Sequence, residues 1–319
     1  MGAEIAKNSH RIVWIDWAKA ICIFLMVIGH WTSNETIILY IYSFHMPALF
    51  VISGMLFKPR LWYKTVLSLC VPVLFYSILN LLFLIAIADI SIGQIFSKEV
   101  FFRIFHYRYG LGEGFYCGDW FLWALLGLRL FYGDIHFLSP LRKYYILLTI
   151  FVVVYMSFES HFISVDTMFR GAYIGRFVPS MPFFCLGFFL KDCNWTPRRY
   201  SALVVSLFCV LLVLMPIING PSSINSNTYG KSYFLFFVFA SLMSIIIFDM
   251  SFYLPKNNIV TVISNGTLLI LGLHIPIMKT LDMIFPSYLH EFCPLFVLPI
   301  CYFPIVLLNK RCPLLLGKV

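Results

Sequence analysis

The chain has 319 residues, of which 61% are hydrophobic and only 12% are charged, and its mean hydropathy is +0.89. A soluble domain carries roughly twice that charged fraction, so the composition excludes an ordinary soluble protein. The net charge of +9 does not indicate nucleic acid as a partner, because the basic residues fall mostly in short loops between apolar runs, as in membrane proteins.

The apolar runs predict an all-α, polytopic integral membrane protein embedded in a lipid bilayer, with about ten transmembrane helices of roughly 20 residues each. They form a single transmembrane domain over residues 1–319, without a separate soluble domain. Basic residues are about twice as frequent on the side that holds both termini, which predicts cytoplasmic termini and an external loop at 89–118. The predicted spans are 12–33, 36–57, 64–88, 119–133, 143–159, 176–191, 200–219, 231–250, 259–281 and 293–309.

The first predicted helix carries a polar stripe of Asp16, Lys19 and His30. Lys19 and His30 are eleven positions apart, which places them about 20° apart on one helix face and roughly 16 Å apart along the axis. Asp16 lies three residues before Lys19 on the same side. Buried charges normally face the interior of a bundle or a wet cavity, so the stripe predicts an internal passage. The alternative, an interfacial Asp16–Lys19 pair with a snorkelling lysine, leaves His30 unexplained.

The residue types of the stripe indicate two roles. A neutral histidine can accept a proton from a hydroxyl near neutral pH, which makes His30 a candidate general base. A lysine is better suited to hold an anion such as a phosphate or a carboxylate, which makes Lys19 a candidate ligand-binding residue. The nine cysteines form no Cys-x-x-Cys pair, so the sequence predicts neither a metal site nor a disulfide framework.

Five further residues are candidates for lining the site, and each has a structural alternative. His45 and His274 each precede a proline by two residues; they either satisfy a carbonyl freed by the helix break or orient His30 and the substrate. Trp120 either lies at a helix start next to a capping residue or presents its ring to a sugar. Arg176 is either an interfacial anchor or a ligand for an acceptor anion. Glu113 is either a solvated loop charge or a ligand for a sugar hydroxyl.

Five segments then resemble, in order, the motifs of one family. They are "RIVWIDWAKAICIFLMVIGH", "YIYSFHMPALFVISGMLFK", "DWFLWALLGLRLF", "GRFVPSMPFFCLGFFL" and "ISNGTLLILGLHIPIM". The first segment has a basic residue, ten further residues and a histidine, as members of the membrane acyltransferase family 3 do. The second resembles the corresponding motif in the fucose 4-O-acetylase-like branch of that family.

The resemblance implies an integral membrane enzyme that moves an acyl group, usually acetyl from acetyl-CoA, onto a carbohydrate hydroxyl. It implies no bound cofactor, since acetyl-CoA or another acyl-CoA is a co-substrate. The essential histidine of the family maps onto His30, and its basic partner maps onto Lys19. Many relatives carry Arg-x-x-Arg after the second helix; this chain has Arg60 and Lys64 there, which we expect to contact the donor phosphates.

The prediction is therefore an O-acetyltransferase of the inner (plasma) membrane that modifies a cell-surface or secreted carbohydrate, such as a lipid-linked sugar or a polysaccharide under biosynthesis. His30 and Asp16 are the predicted catalytic residues, and Lys19, Arg60 and Lys64 the predicted donor-binding residues. The alternative is a secondary transporter or flippase that exports a carbohydrate or a small anion, because such proteins also carry buried charges and broken helices. Thioester turnover distinguishes the two.

Overall fold

The computed structural model describes residues 12–86, 119–133, 143–162, 174–197 and 202–318, and these residues are mostly helical. Their twelve α-helices are α1 (Val13–Gly29), α2 (Glu35–Tyr42), α3 (His45–Met55), α4 (Trp62–Ala86), α5 (Asp119–Phe131), α6 (Tyr145–Phe162), α7 (Ile174–Asp192), α8 (Ala202–Asn219), α9 (Tyr233–Phe252), α10 (Asn258–Asn265), α11 (Thr267–Ile284) and α12 (Cys293–Arg311). Two short 3-10 helices, Ser287–Phe292 and Pro313–Leu316, flank α12. The predicted all-α class is confirmed for this part of the chain.

A small hairpin joins α8 to α9. Its strands, β1 (Ser222–Ser223) and β2 (Thr228–Tyr229), pair antiparallel, with Ser222 opposite Tyr229 and Ser223 opposite Thr228. We call the segment Ser222–Tyr229 the hairpin. It lies within the polar segment that the sequence places outside the membrane, between two predicted spans.

Several of the described helices are long and apolar enough to cross a membrane, which confirms a polytopic membrane protein. Five stretches reach that length: Glu35–Met55, Trp62–Phe83, Tyr233–Phe252, Thr267–Ile284 and Ser287–Arg311. Shorter apolar helices cover Trp120–Phe131, Tyr145–Phe158 and Val205–Asn219. The count of about ten spans stays a prediction, and the predicted external loop at 89–118 lies outside the described residues.

Two contacts of α1 define the two ends of the bundle. Near the start of α1, the indole Nε1 of Trp17 donates to the carbonyl of Pro255, 2.8 Å away. Just beyond its end, the indole Nε1 of Trp31 donates to the carbonyl of His290, also at 2.8 Å. We call these the lysine end and the histidine end, after Lys19 and His30.

Prolines interrupt the helical hydrogen bonding at two places near the histidine end. The second predicted span divides into α2 and α3 at Ser43, whose carbonyl would be the partner of the N–H that Pro47 lacks. In α11, Pro276 leaves the carbonyl of Gly272 without its usual partner. The amide Nδ2 of Asn80 on α4 donates to that carbonyl at 2.7 Å. The Asn80 side chain thus supplies the hydrogen-bond donor for a backbone carbonyl, which the hydrocarbon of a bilayer could not do.

Helix α3 lies at the centre of the bundle because two glycines let it touch α7. A Cβ atom at Gly54 would overlap the carbonyl oxygen of Phe184, and one at Gly187 would overlap the carbonyl oxygen of Val51. Both obstacles are backbone atoms, which cannot move aside as a side chain can. Close packing of this kind through small residues is typical of helices in membranes.

Candidate active site

The structure brings three histidines together at the histidine end. His30 follows the last residue of α1, and its ring centroid lies 5.2 Å from that of His274 on α11. The ring of Tyr42 on α2 lies 5.9 Å from His30 and 5.5 Å from His45 on α3. Gly29 leaves room for this arrangement, since a Cβ atom there would lie 2.7 Å from the Tyr42 ring.

Backbone carbonyls fix the protonation of two of these rings. The Nδ1 of His45 lies 2.6 Å from the carbonyl of Ile41, and the Nδ1 of His274 lies 3.0 Å from the carbonyls of Ile270 and Leu271. A carbonyl only accepts, so each Nδ1 carries a proton and each neutral ring keeps a lone pair on Nε2. The Nε2 of His274 is buried and has no hydrogen-bond partner among the described residues.

Tyr42 orients the third ring. Its hydroxyl donates to the carbonyl of Gly29 at 2.9 Å and lies 3.5 Å from the Nδ1 of His30. A hydroxyl has one proton, so the oxygen faces His30 Nδ1 as an acceptor. This favours the tautomer of His30 in which Nδ1 carries the proton and Nε2 is the base.

A small cavity of about 20 Å³ adjoins the histidines, and we call it the histidine cavity. Within the described part of the chain, no aspartate, glutamate, lysine or arginine lines it. Its chemistry is therefore that of neutral polar groups in an apolar wall. The lining residues are Met26, His30, Tyr42, His45, Met46, Trp120, Ser223, Ile224, Asn225 and Leu271.

The hairpin forms one wall of the histidine cavity and is held there by Arg176. The Nε of this buried arginine donates to the carbonyl of Asn225 at 2.8 Å. Arg176 therefore supports the wall, whereas Trp120, on α5, lines the cavity itself. Glu113 lies outside the described residues.

A second, larger cavity of about 200 Å³ lies towards the lysine end, and we call it the cationic cavity. Lys19, Arg129 and Lys318 line it, while none of its lining residues in the described ranges is acidic. The Nζ of Lys19 donates to the carbonyl of Ser264 at 2.9 Å. The Nε of Arg129 is buried without a hydrogen-bond partner in the described part of the chain. Such a set of cations is suited to a polyanion.

The two cavities adjoin one another along the polar stripe. Leu271 lines both of them, and Lys19 and His30, on one face of the same chain segment, line one each. The rise along α1 separates these two residues by roughly 16 Å. An extended ligand could therefore bind through its charged end at one cavity and present its other end at the next.

The other residues predicted for the stripe and the donor site lie near the lysine end. Asp16 accepts a hydrogen bond from Ser264 Oγ at 2.7 Å, and it precedes His30 by fourteen positions, which is roughly 21 Å of helix. Its carboxylate thus fixes α10 beside Lys19 and does not reach the histidines. Arg60 and Lys64 are exposed, and Arg60 is close enough to Arg129 to interact with it electrostatically.

Among the residues that line the two cavities, Arg129, Tyr42, Asn225 and Lys318 are polar residues that were not predicted from the sequence. Arg129 carried a usable signal, since it is a charge within an apolar run, as Lys19 is. Tyr42 lies three residues before His45, but the helix break between them hides their relation. Asn225 and Lys318 had no signal, because only the tertiary fold brings the hairpin and the chain end to these cavities.

No group of three His, Cys, Asp or Glu side chains among the described residues is arranged to hold a metal ion. The two Nδ1 atoms already bonded to carbonyls would also be unavailable as ligands.

The fold and the two cavities define a polytopic membrane protein with a cationic cavity next to a histidine cluster. A family model described as "Acyltransferase domain" matches residues 12–308. The chain belongs to this family, the membrane acyltransferase family 3, and is an acyltransferase other than an aminoacyltransferase. Searches among curated proteins and among solved structures found no match. Family membership favours the enzyme over the transporter alternative.

Proposed function

We propose that the protein transfers an acyl group, by expectation acetyl, from acyl-CoA to a hydroxyl of a cell-surface or secreted carbohydrate, with His30 as the general base. The observation that carries the proposal is the adjacency of the two cavities. His30, at the end of the polar stripe, lines the uncharged histidine cavity. Lys19, in the same stripe, lines the cationic cavity.

The cationic cavity supports acyl-CoA as the donor. Phosphate groups make charge-assisted hydrogen bonds with lysine and arginine, and Lys19, Arg129 and Lys318 supply these around one space. Arg60, which interacts electrostatically with Arg129, adds positive charge in the vicinity of this cavity. The roughly 16 Å between Lys19 and His30 suits the extended pantetheine arm, so the thioester would arrive beside His30.

The chemistry then needs one base. Nε2 of His30 takes the proton of the acceptor hydroxyl as its oxygen attacks the thioester carbonyl. The new ester bond forms, the bond from carbonyl carbon to sulfur breaks, and the departing thiolate of CoA takes the proton back from His30. Tyr42 holds the tautomer through Nδ1, and His274 packs against the ring as a neutral neighbour. Asp16 does not take part in the proton transfer; its bond to Ser264 fixes α10 next to Lys19.

The location follows from the same assignment. The bias of lysine and arginine towards one side supports cytoplasmic termini and an inner-membrane protein. The lysine end would face cytoplasmic acyl-CoA, and the histidine end would face the carbohydrate, a lipid-linked sugar or a polysaccharide. The bilayer holds the helices in this orientation.

The test is transfer of label from acetyl-CoA, labelled in the acetyl group, to a mixed carbohydrate extract by purified protein in nanodiscs. His30→Ala should lower transfer by about 100-fold or more, because a positioned general base contributes about that much. His290→Ala is the matched control: this histidine is at the same end, stacked 4.7 Å from Trp31, and is not among the residues that line the cavity. Equal transfer by His30→Ala and wild type would remove His30 from the chemistry, and no thioester turnover by wild type would overturn the proposal.

A further inference from the structure

We propose that the protein binds one anionic phospholipid at its lysine end, with an acyl chain in an apolar groove between α1, α10 and α12 and the headgroup phosphate next to Lys256 and Lys310. The site is separate from the two cavities of the candidate active site, and the assignment goes beyond the proposed function. It concerns which lipid the protein selects from the bilayer.

The groove is large and almost entirely apolar. Its volume is about 650 Å³, and only the indole of Trp17 and the hydroxyl of Tyr302 bring polar side-chain atoms to its wall. None of its lining residues in the described ranges is charged. We call it the apolar groove, and its lining residues are Trp17, Ala20, Ile21, Phe24, Ile259, Val260, Ile263, Leu298, Pro299, Tyr302 and Phe303.

The apolar groove opens towards lipid. Helix α12 belongs to a stretch that is long and apolar enough to cross a membrane, and Phe303 on it is 75% exposed. Ile259, on the opposite wall, is 59% exposed. Trp17 and Ile21 each lie about 160° from Lys19 around α1, so the groove is on the helix face opposite the polar stripe. A ligand would therefore enter it from the bilayer and not from the cationic cavity.

The volume suits a flexible chain better than a further transmembrane helix. A helix is about 10 Å across and rises 5.4 Å per turn, so the apolar groove holds only about one and a half turns. A membrane span needs about 20 residues, which is more than five turns. A lipid acyl chain is narrower and can follow the groove along α1.

Charges at the lysine end indicate the headgroup. The indole of Trp17, bonded to the Pro255 carbonyl, marks the level at which tryptophan rings lie between hydrocarbon and headgroups. Lys256 is exposed next to Pro255. Lys310, also exposed, follows Phe303 by seven positions, which places it on nearly the same face of α12 and roughly 10 Å nearer the lysine end. Two lysines at the mouth of the groove favour an anionic over a zwitterionic lipid.

A lipid in the apolar groove would also support the contact between α1 and α10. Ile263 lines the groove, and the next residue, Ser264, bonds both Asp16 and Lys19. The acyl chain would pack against the back of this contact. Because such a ligand binds the folded state only, it should raise the melting temperature in proportion to its occupancy.

The experiment counts the lipids that bind to the purified full chain after delipidation in detergent. Native mass spectrometry measures binding of phosphatidylglycerol, of phosphatidylcholine with the same acyl chains, and of glycerophosphoglycerol, which has the headgroup without the chains. Thermal unfolding is recorded with and without each. Ile259→Trp fills the groove, and Lys256→Gln removes one charge. Met250→Trp is the matched control, because Met250 is 62% exposed in the last turn of α9 at the lysine end and does not line the groove.

We expect one phosphatidylglycerol per protein, bound about 10-fold or more tightly than phosphatidylcholine, since each lysine near a membrane surface contributes about fivefold. Lys256→Gln should lower the affinity for phosphatidylglycerol about fivefold and leave that for phosphatidylcholine unchanged. Ile259→Trp should lower both about 10-fold, the effect of displacing about two buried CH₂ groups, and should abolish the lipid-induced rise in melting temperature. Met250→Trp should equal wild type.

Four results would overturn the assignment: equal affinity for the two lipids, binding of glycerophosphoglycerol as tight as that of phosphatidylglycerol, unchanged binding in Ile259→Trp, or a second copy of the chain bound in place of the lipid. The measurement uses no acyl-CoA, so its outcome is independent of the proposed function.

Discussion

The two cavities along α1 differ in their chemistry although they share a wall. The cationic cavity gathers Lys19, Arg129 and Lys318 without a described acidic residue, whereas the histidine cavity has only neutral polar groups. The first arrangement suits binding of a charged donor and the second suits proton transfer in an uncharged space. In the proposed function, α1 therefore separates recognition of the donor from the chemical step by roughly 16 Å.

Helix α3 is one of the elements that line both cavities. It contributes His45 and Met46 to the histidine cavity and Leu49, Ile52 and Ser53 to the cationic cavity, which Leu56, the residue after the helix, also lines. A change in its position should therefore disturb both functions. Changes at the lining residues of one cavity should affect only one function.

The largest expected effect is that of Gly187→Ala, which should displace α3 and therefore disrupt both cavities. The added Cβ would overlap the Val51 carbonyl oxygen on α3, so the helices must separate. We expect the free energy of unfolding to fall by about 3 kcal/mol or more, at the upper end of overpacking effects, and both donor binding and turnover to be lost. Thermal unfolding in detergent and acetyl-CoA hydrolysis would measure this.

Gly127→Ala is the control for that variant. Its Cβ would lie 2.9 Å from a ring carbon of Phe177, which is a side chain that can move. This variant should lose clearly less stability than Gly187→Ala. Equal stability of Gly187→Ala and wild type would contradict the close contact of α3 with α7.

Lys19→Met should weaken donor binding without a comparable loss of turnover, which would separate the roles of the two cavities. It removes a charged hydrogen-bond donor from the cationic cavity, an interaction of about 1.5–3 kcal/mol, so we expect the KM for acetyl-CoA to rise about 10- to 100-fold. The turnover rate at saturating donor should change far less than in His30→Ala. Steady-state kinetics of hydrolysis gives both values.

The conservative variant Lys19→Arg keeps the charge and should retain most of the donor affinity. Lys256→Met is a second control, since this lysine is exposed next to Pro255 at the lysine end. A lower turnover rate in Lys19→Met with unchanged KM would contradict the division of roles between the cavities.

Lys318→Met should have the smallest effect. Lys318 lines the cationic cavity but is exposed, and exposed ion pairs contribute about 0.2–1 kcal/mol. We expect the KM for acetyl-CoA to rise about two- to fivefold, measured in the same hydrolysis assay. Lys310→Met, exposed in the last turn of α12 but absent from the cavity wall, should leave the KM unchanged. Identical KM values for the two variants would exclude the chain end from donor binding.

Local sequence patterns are enough to predict the membrane class, the helical fold and the face of α1 that carries Lys19 and His30. These features are local: a long apolar run specifies a helix in lipid, and the helical repeat places residues eleven apart on one face. Charges are costly in the membrane, so they also indicated which face turns inward.

Only the tertiary structure decided which distant residues complete the two cavities. His274 lies 244 positions from His30 in the sequence, yet their rings are 5.2 Å apart because α11 packs beside α1. Asp16 is a second example: its carboxylate accepts a hydrogen bond from Ser264, which lies 248 positions away in the sequence. The hairpin and the chain end add Asn225 and Lys318. Packing between helices is not periodic in sequence, so no local pattern could predict these contacts.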